Sequence, residues 1–238
     1  LGELTRAMVE HVGDRLRTNT PIHSLEAHAD GWVIHSGSQQ WFFEKVLLAC
    51  PAPAQARLLP VSPEMEALRA ALAGVKYTDV VVAISEFQRG CFEREPEGFG
   101  VLLSRAEQCS GPLGLLFSSN IFPSHVPDDR NLTRCILGGS PNPNVLQLSD
   151  AELRSAVEEL HQKLFGARQQ QAMRISLIRH RQAIPCYGLQ HPRLHQLVME
   201  HHRAVPTLRL LGNHLFGVGI KDCVRNASQQ AQAIEERS

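Results

Sequence analysis

The stretch LLGNHLFGVGIKDCVRNASQQAQAI, residues 210 to 234, reads as the end of an apolar strand, a glycine-rich turn and a helix, and its reading decides the fold. A strand that runs through Gly212 and Asn213 into GVGI lets another group approach the backbone closely, because glycine has no side chain to obstruct it. Ile220, Val224, Ala227, Ala231 and Ile234 fall on one helical face, so the helix begins near Lys221 or Asp222. Its free N–H groups and the positive end of its dipole then point at whatever sits on the turn. That suits a phosphate, or an electron-rich ring that becomes negative when reduced. A plain pair of packing glycines at a strand-to-helix turn is the alternative reading of these residues alone.

The rest of the chain sets the frame. Its 238 residues, 43% of them hydrophobic, can bury a sizeable core as one large domain or two small ones. Twenty-four basic and 24 acidic residues cancel, so no net field draws the chain to nucleic acid or to an anionic membrane. The six cysteines (50, 91, 109, 135, 186 and 223) lack a C-x-x-C pair, which fits reduced packing thiols in a cytosolic protein rather than a disulfide framework. No apolar run approaches the roughly 18 residues of a membrane span, and no basic-then-apolar export signal stands at the N-terminus. The chain opens on Leu1 inside a helical pattern, as a fragment would.

Periodicity predicts a helix over 1–17, ended by NTP at 19–21, and a hairpin over 22–36 turning at Asp30 and Gly31. KVLLACPAP (45–53) reads as a strand buried on both faces that ends in a sharp turn. Ser62 and Pro63 start a short helix to about 73. From 75 to 140 the segments KYTDVVVAISEF, GFGVLLS, LGLLFSS and LTRCILGG predict strands of one mixed or antiparallel sheet. Ser149 and Glu152 form a capping box ahead of the stripe Leu153, Val157, Leu160, Leu164, closed by Gly166, which predicts a helix over 150–165. AMRISLIRH turns Met173, Ile175 and Leu177 inward, HPRLHQLVMEHH forms a helix, and LRLLGN is a short buried strand. Residues 1–60 and 205–238 are expected to pack together as one domain, with 61–204 as a second.

With these phrases in place, the chain resembles the protoporphyrinogen oxidase family of the flavin amine oxidase superfamily. FGVGIKDCV with its trailing small-residue helix is similar to that family's C-terminal flavin-binding motif, which closes over a cofactor whose main site lies at the other end of the chain. The resemblance extends through LGELTRAMVEHVGDRLRTNTPIHSLEAHADGWVI, KVLLACPAPAQARLL, the run from GFGVLLS to ILGGSPNP, and RQAIPCYGLQH, in the family's order and over nearly the whole length. It implies an α/β and α+β fold: a partial FAD/NAD(P)-binding domain plus a substrate domain with a mixed, largely antiparallel sheet and packed helices. It also implies FAD as cofactor, held by Ile22, Ala49, His180, Gly217, Val218, Gly219 and Ile220, with substrate lined by Phe99, Gly100, Leu102 and Ile136. For each of the last four, a strand residue in a sheet core is the competing reading.

The implied reaction is oxidation of protoporphyrinogen IX to protoporphyrin IX with oxygen as acceptor, a step of haem biosynthesis. The flavin carries that chemistry, so no side chain is expected to act as acid, base or nucleophile. The family opens with a strand, a G-x-G-x-x-G turn and a helix that hold the FAD pyrophosphate; residues 1 to 60 contain no such arrangement. Its membrane-association domain and a basic residue near a substrate propionate are missing too. Asn226 and Ala227 replace the usual Ser-Gly, and His180 stands where many bacterial members have tryptophan beside the flavin. This chain is therefore expected to be inactive alone. The resemblance further implies peripheral membrane association through the missing part, a homodimer, and a location in the cytoplasm or at the inner membrane if bacterial, or at the mitochondrial inner membrane if eukaryotic.

Other constellations are weaker. His191 and His195 have helical ligand spacing but no intervening glutamate or third ligand, so no metal is expected, and no nucleic-acid partner. No G-x-S-x-G or Cys/His arrangement supports a nucleophile. A carotenoid desaturase or polyamine oxidase relative remains an alternative, as does a non-catalytic fragment or subunit.

Overall fold

The computed structural model describes residues 2–108, 111–166 and 174–235. The chain begins with α1 (Gly2–Val12), then β1 (Ser24–His28), β2 (Gly31–Ser36), β3 (Gln39–Phe43), β4 (Val46–Leu48), α2 (Ala52–Leu58) and α3 (Pro63–Ala73). It continues through β5 (Tyr77–Gln88), β6 (Gly100–Leu102), α4 (Arg105–Gln108), β7 (Pro112–Leu116), α5 (Ser118–Ile121), β8 (Arg130–Gly138), α6 (Asp150–Phe165) and β9 (Arg174–Pro185). It closes with α7 (His191–Ala204), β10 (Leu208–Leu210) and α8 (Ile220–Glu235). Two compact units result: residues 1–75 with 187–238, and residues 76–186.

In the first unit β4 and β10 form a parallel pair, Val46 opposite Leu208 and Leu48 opposite Leu210, bringing together segments far apart in sequence. Residues 61–75 and 187–204, expected with the middle of the chain, belong here instead, because α3 packs on α7 and α7 on β10. Apolar residues on both faces of a short strand suit a parallel pair, yet only Val46 of β4 is buried and Leu47 is 40% exposed. β1, β2 and β3 make a separate antiparallel meander. Its first turn is Ala29–Asp30, with Gly31 already paired to His28. Gly31 is required by the third strand, since a Cβ there would strike the carbonyl oxygen of Phe43. The N-terminal helix stops at Val12, before Gly13 at φ +57°, rather than reaching 17. The expected sharp turn after Cys50 is α2, begun by Pro51 and Pro53, whose fixed φ suits a first turn.

The second unit is a five-stranded antiparallel sheet in the order β6-β7-β8-β5-β9. Alternation along its strands gives two faces. One carries Val81, Ala83, Leu115, Cys135, Leu137 and Ile175 into a core closed by Leu153, Val157, Leu160 and Phe165 of α6. α6 has the expected bounds, and both bonds of the Ser149–Glu152 capping box form. Ile175 points inward as expected; Met173 lies outside the described residues. Inside the core the wholly buried His161 bonds Thr133 Oγ1 at 2.8 Å and the Val157 carbonyl at 2.7 Å. Burial pushes its pKa down, so the neutral ring donates from Nδ1 and accepts at Nε2.

Candidate functional site

The glycine turn lies between β10 and α8 in the first unit. Leu208 and Leu210 are wholly buried, so β10 is a fixed base. Gln55, fully buried on α2, ties its end down: Nε2 lies 2.6 Å from the carbonyl of Leu211, 2.8 Å from that of Cys50 and 3.0 Å from that of Leu48. Gly212 is flush against the ring of His214, a Cβ there falling 2.5 Å from it. At Gly217, with φ +120°, a Cβ would lie 2.7 Å from the Asp222 side chain. The Tyr187 hydroxyl donates to the Asn213 carbonyl at 2.6 Å and accepts the Gly217 N–H at 2.8 Å.

Of the four turn residues expected to offer amides, Gly217 is thus bonded internally. The N–H groups of Val218, Gly219 and Ile220 find no acceptor among the described residues, and Val218 and Ile220 are about half exposed. α8, 16 residues long, begins at Ile220 with its positive dipole end at this turn. Its apolar face looks outward: Ile220, Val224, Ala227 and Ala231 are exposed, while Asn226 and Ile234 are buried. α1 likewise leaves Leu4, Met8 and Val12 exposed.

Ile22 and Ala49 come together, with Cys50, Ala54, Arg57 and Leu58, around a cavity of about 560 Å³. Burial raises the Cys50 thiol pKa and keeps it neutral, although Arg57 pulls it the other way. His180 is on β9 of the second unit, opposite Val80, whereas the turn and this cavity belong to the first.

The face of the second unit's sheet away from α6 holds three of the four expected substrate residues. Leu102, Gly114, Ile136, Val82 and Ile178 stand opposite one another in a single row crossing all five strands. Gly100, Leu116, Arg134, Ile84 and Ser176 form the neighbouring row. Leu102 is 83% and Ile178 43% exposed, and His180 lies on this face two positions along from Ile178. Phe99, 71% exposed, precedes β6 and accepts the Phe117 amide through its carbonyl. Gly100 and Gly114 are demanded by close strand approach, a Cβ at either meeting a carbonyl oxygen of the facing strand at 2.5 Å. The result is one apolar row flanked by a row that carries the exposed Arg134 and Ser176. Val82 and Ile178 were missed in the sequence reading; the signal was present in VVVAIS and ISLI, whose successive residues are apolar in both parities.

The same architecture is found in solved structures of amine oxidase type. The solved structure of a candidate protoporphyrinogen oxidase from Exiguobacterium sp. matches 99% of this chain and 51% of its own at a TM-score of 0.76; with 22% identity, that likeness establishes the fold. The chain belongs to the flavin containing amine oxidoreductase family, whose profile covers residues 1–235. Among curated relatives it is 26% identical over 235 residues to a mitochondrial protoporphyrinogen oxidase of Nicotiana tabacum, covering 93% of this chain and 46% of that protein. It is 27% identical over 245 residues to a coproporphyrinogen III oxidase of Propionibacterium freudenreichii, covering 98% and 43% respectively. The chain thus spans less than half the length of these relatives.

Proposed function

We propose that this chain is the substrate-binding and flavin-closing portion of an FAD-dependent porphyrinogen oxidase that takes protoporphyrinogen IX to protoporphyrin IX with oxygen as acceptor. The observation that carries the reading is the apolar row Leu102–Gly114–Ile136–Val82–Ile178 on the sheet face opposite α6, together with relatives named as porphyrinogen oxidases. A planar, largely apolar macrocycle needs a smooth apolar wall, and the two glycines keep this one smooth. The wall would bind the macrocycle, orient it and exclude water from its surface.

The turn suits a flavin on two counts: free amides at Val218, Gly219 and Ile220, and a helix N-terminus behind them. Ile22 and Ala49 would take the adenine end in their shared cavity. When bound, FAD supplies the hydride acceptor and is reoxidised by oxygen. This chain's amides would stabilise negative charge on the ring edge they face. No glycine fingerprint in residues 1–60 holds the pyrophosphate. The turn and the cavity alone leave weak FAD binding; tight binding and turnover require the part of the relatives' length that this chain does not span, and the exposed apolar faces of α1 and α8 are where that part would pack.

The direct test is a titration of the chain with protoporphyrin IX followed at the Soret band. Saturable binding that is lost in Ile136→Asp and kept in Leu4→Asp supports the reading; binding indifferent to Ile136, or absent, ends it. Coproporphyrinogen III is a second candidate substrate, favoured by likeness to the Propionibacterium enzyme over 98% of this chain. Tighter binding of coproporphyrin than of protoporphyrin would select it.

A further inference from the structure

We infer that Tyr187 is a positioning residue that holds the turn 213–217, so that the following amides stay presented to a ligand; the ligand half of this inference rests on the flavin reading above. Between the end of β10 and the start of α8 the backbone has little of its own to hold it: Leu215 N–H to Gly212 O at 3.1 Å is a single turn bond. Gly217 at φ +120° is a conformation with many accessible neighbours. The Tyr187 hydroxyl closes this loop from outside, donating at one end to Asn213 O (2.6 Å) and accepting at the other from Gly217 N (2.8 Å). One oxygen therefore fixes the distance between two backbone groups four residues apart.

The tyrosine is itself braced. Its ring stacks on that of His191, centroids 3.9 Å apart and planes at 14°. His191 Nε2 donates to the carbonyl of His214 at 3.2 Å, inside the same turn. Tyr187 and His191, one on each side of GLQ, thus reach three of the five residues from Asn213 to Gly217. By occupying the Gly217 amide, the hydroxyl also aims the chain so that Val218, Gly219 and Ile220 are left without internal acceptors. Tyr187 has no part in proton transfer in this account; it acts through the backbone.

The test compares the chain with Tyr187→Phe, which keeps the ring and its stacking and removes only the hydroxyl. Amide hydrogen exchange read by NMR should show Gly217 exchanging about tenfold faster in the variant, the equivalent of one ordinary hydrogen bond, while Val46 and Leu210 amides exchange unchanged. FAD added to the chain at millimolar concentration, as weak binding demands, should shift the amide resonances of Val218, Gly219 and Ile220, and at equal FAD the shifts should be at least halved in the variant. Undiminished protection of Gly217 would overturn the inference. Lost protection with FAD shifts equal to those of the unaltered chain would overturn its ligand half. If FAD moves none of these amides in the unaltered chain, the flavin reading fails, and the exchange result still decides what Tyr187 does to the turn.

Discussion

Val46 donates its backbone N–H to the carbonyl of Thr207 at 2.8 Å, the first bond of the parallel ladder that joins the two ends of the chain. Because β4 and β10 have three residues each, the ladder is too short to hold by itself. Gln55 completes it by serving three carbonyls with one amide group. Gln55→Ala is expected to leave those buried carbonyls short of donors and to destabilise the first unit by about 2–3 kcal/mol. Both tryptophans, Trp32 and Trp41, belong to this unit, so the denaturation midpoint read by tryptophan fluorescence measures the effect.

Gly217→Ala and Gly219→Ala should differ in severity. At Gly217 a Cβ meets the Asp222 Cβ at 2.7 Å in a positive-φ conformation, whereas at Gly219 it meets only the far end of that side chain at 3.1 Å. The first substitution is expected to cost about 1–3 kcal/mol and the second well under 1 kcal/mol, about the scale of an ordinary surface change. Urea midpoints of the two variants provide the comparison.

Acid should loosen the first unit ahead of neutral conditions. Burial, then the neighbouring Arg209 and His201 charges, lower the pKa of His202 to about 3, and burial, then His191, lower that of His214 to about 4. Burial lowers His201 as well. In the unfolded chain these rings titrate near 6.5, so the unfolded state binds more protons below that pH. Their contribution to stability is complete above about 6.5 and is lost as pH falls towards the folded values. Between pH 7 and 5 each of His202 and His214 should cost on the order of 1–2 kcal/mol. His214 has no partner for either ring nitrogen among the described residues, so His214→Leu should reduce the acid sensitivity of the tryptophan-monitored midpoint.

In the second unit Thr133→Val removes the hydroxyl that meets His161 Nε2 at 2.8 Å in the core. The stranded ring nitrogen should cost about 1–3 kcal/mol. Amide exchange in β5 and β8 would report it, with tryptophan fluorescence unchanged.

What the sequence disclosed depended on how local the cause was. The capping box at Ser149 and Glu152, the stripe behind it and Gly166 are neighbours in sequence, and α6 has the bounds they indicate. The antiparallel strands were likewise legible from their composition. The α8 stripe at Ile220, Val224, Ala227 and Ala231 was visible as a face, but periodicity does not say what covers it, and in this chain it is exposed. The Tyr187 bridge to Asn213 and Gly217 had no local signal, because it spans 26 to 30 positions. The row from Leu102 to Ile178 depends on the register of four ladders, which fixes the neighbours of Ile136 but is written in no single segment.

The central claim is tested most directly by turnover. The chain is joined to the part of the tobacco relative that it does not match, loaded with FAD, and followed by protoporphyrin fluorescence after addition of protoporphyrinogen IX, corrected for oxidation in air. The account predicts porphyrin formation by this fusion and none above background by the isolated chain in excess FAD. A fusion that holds flavin and oxidises amines but leaves porphyrinogens untouched, or turnover by the isolated chain, would contradict it.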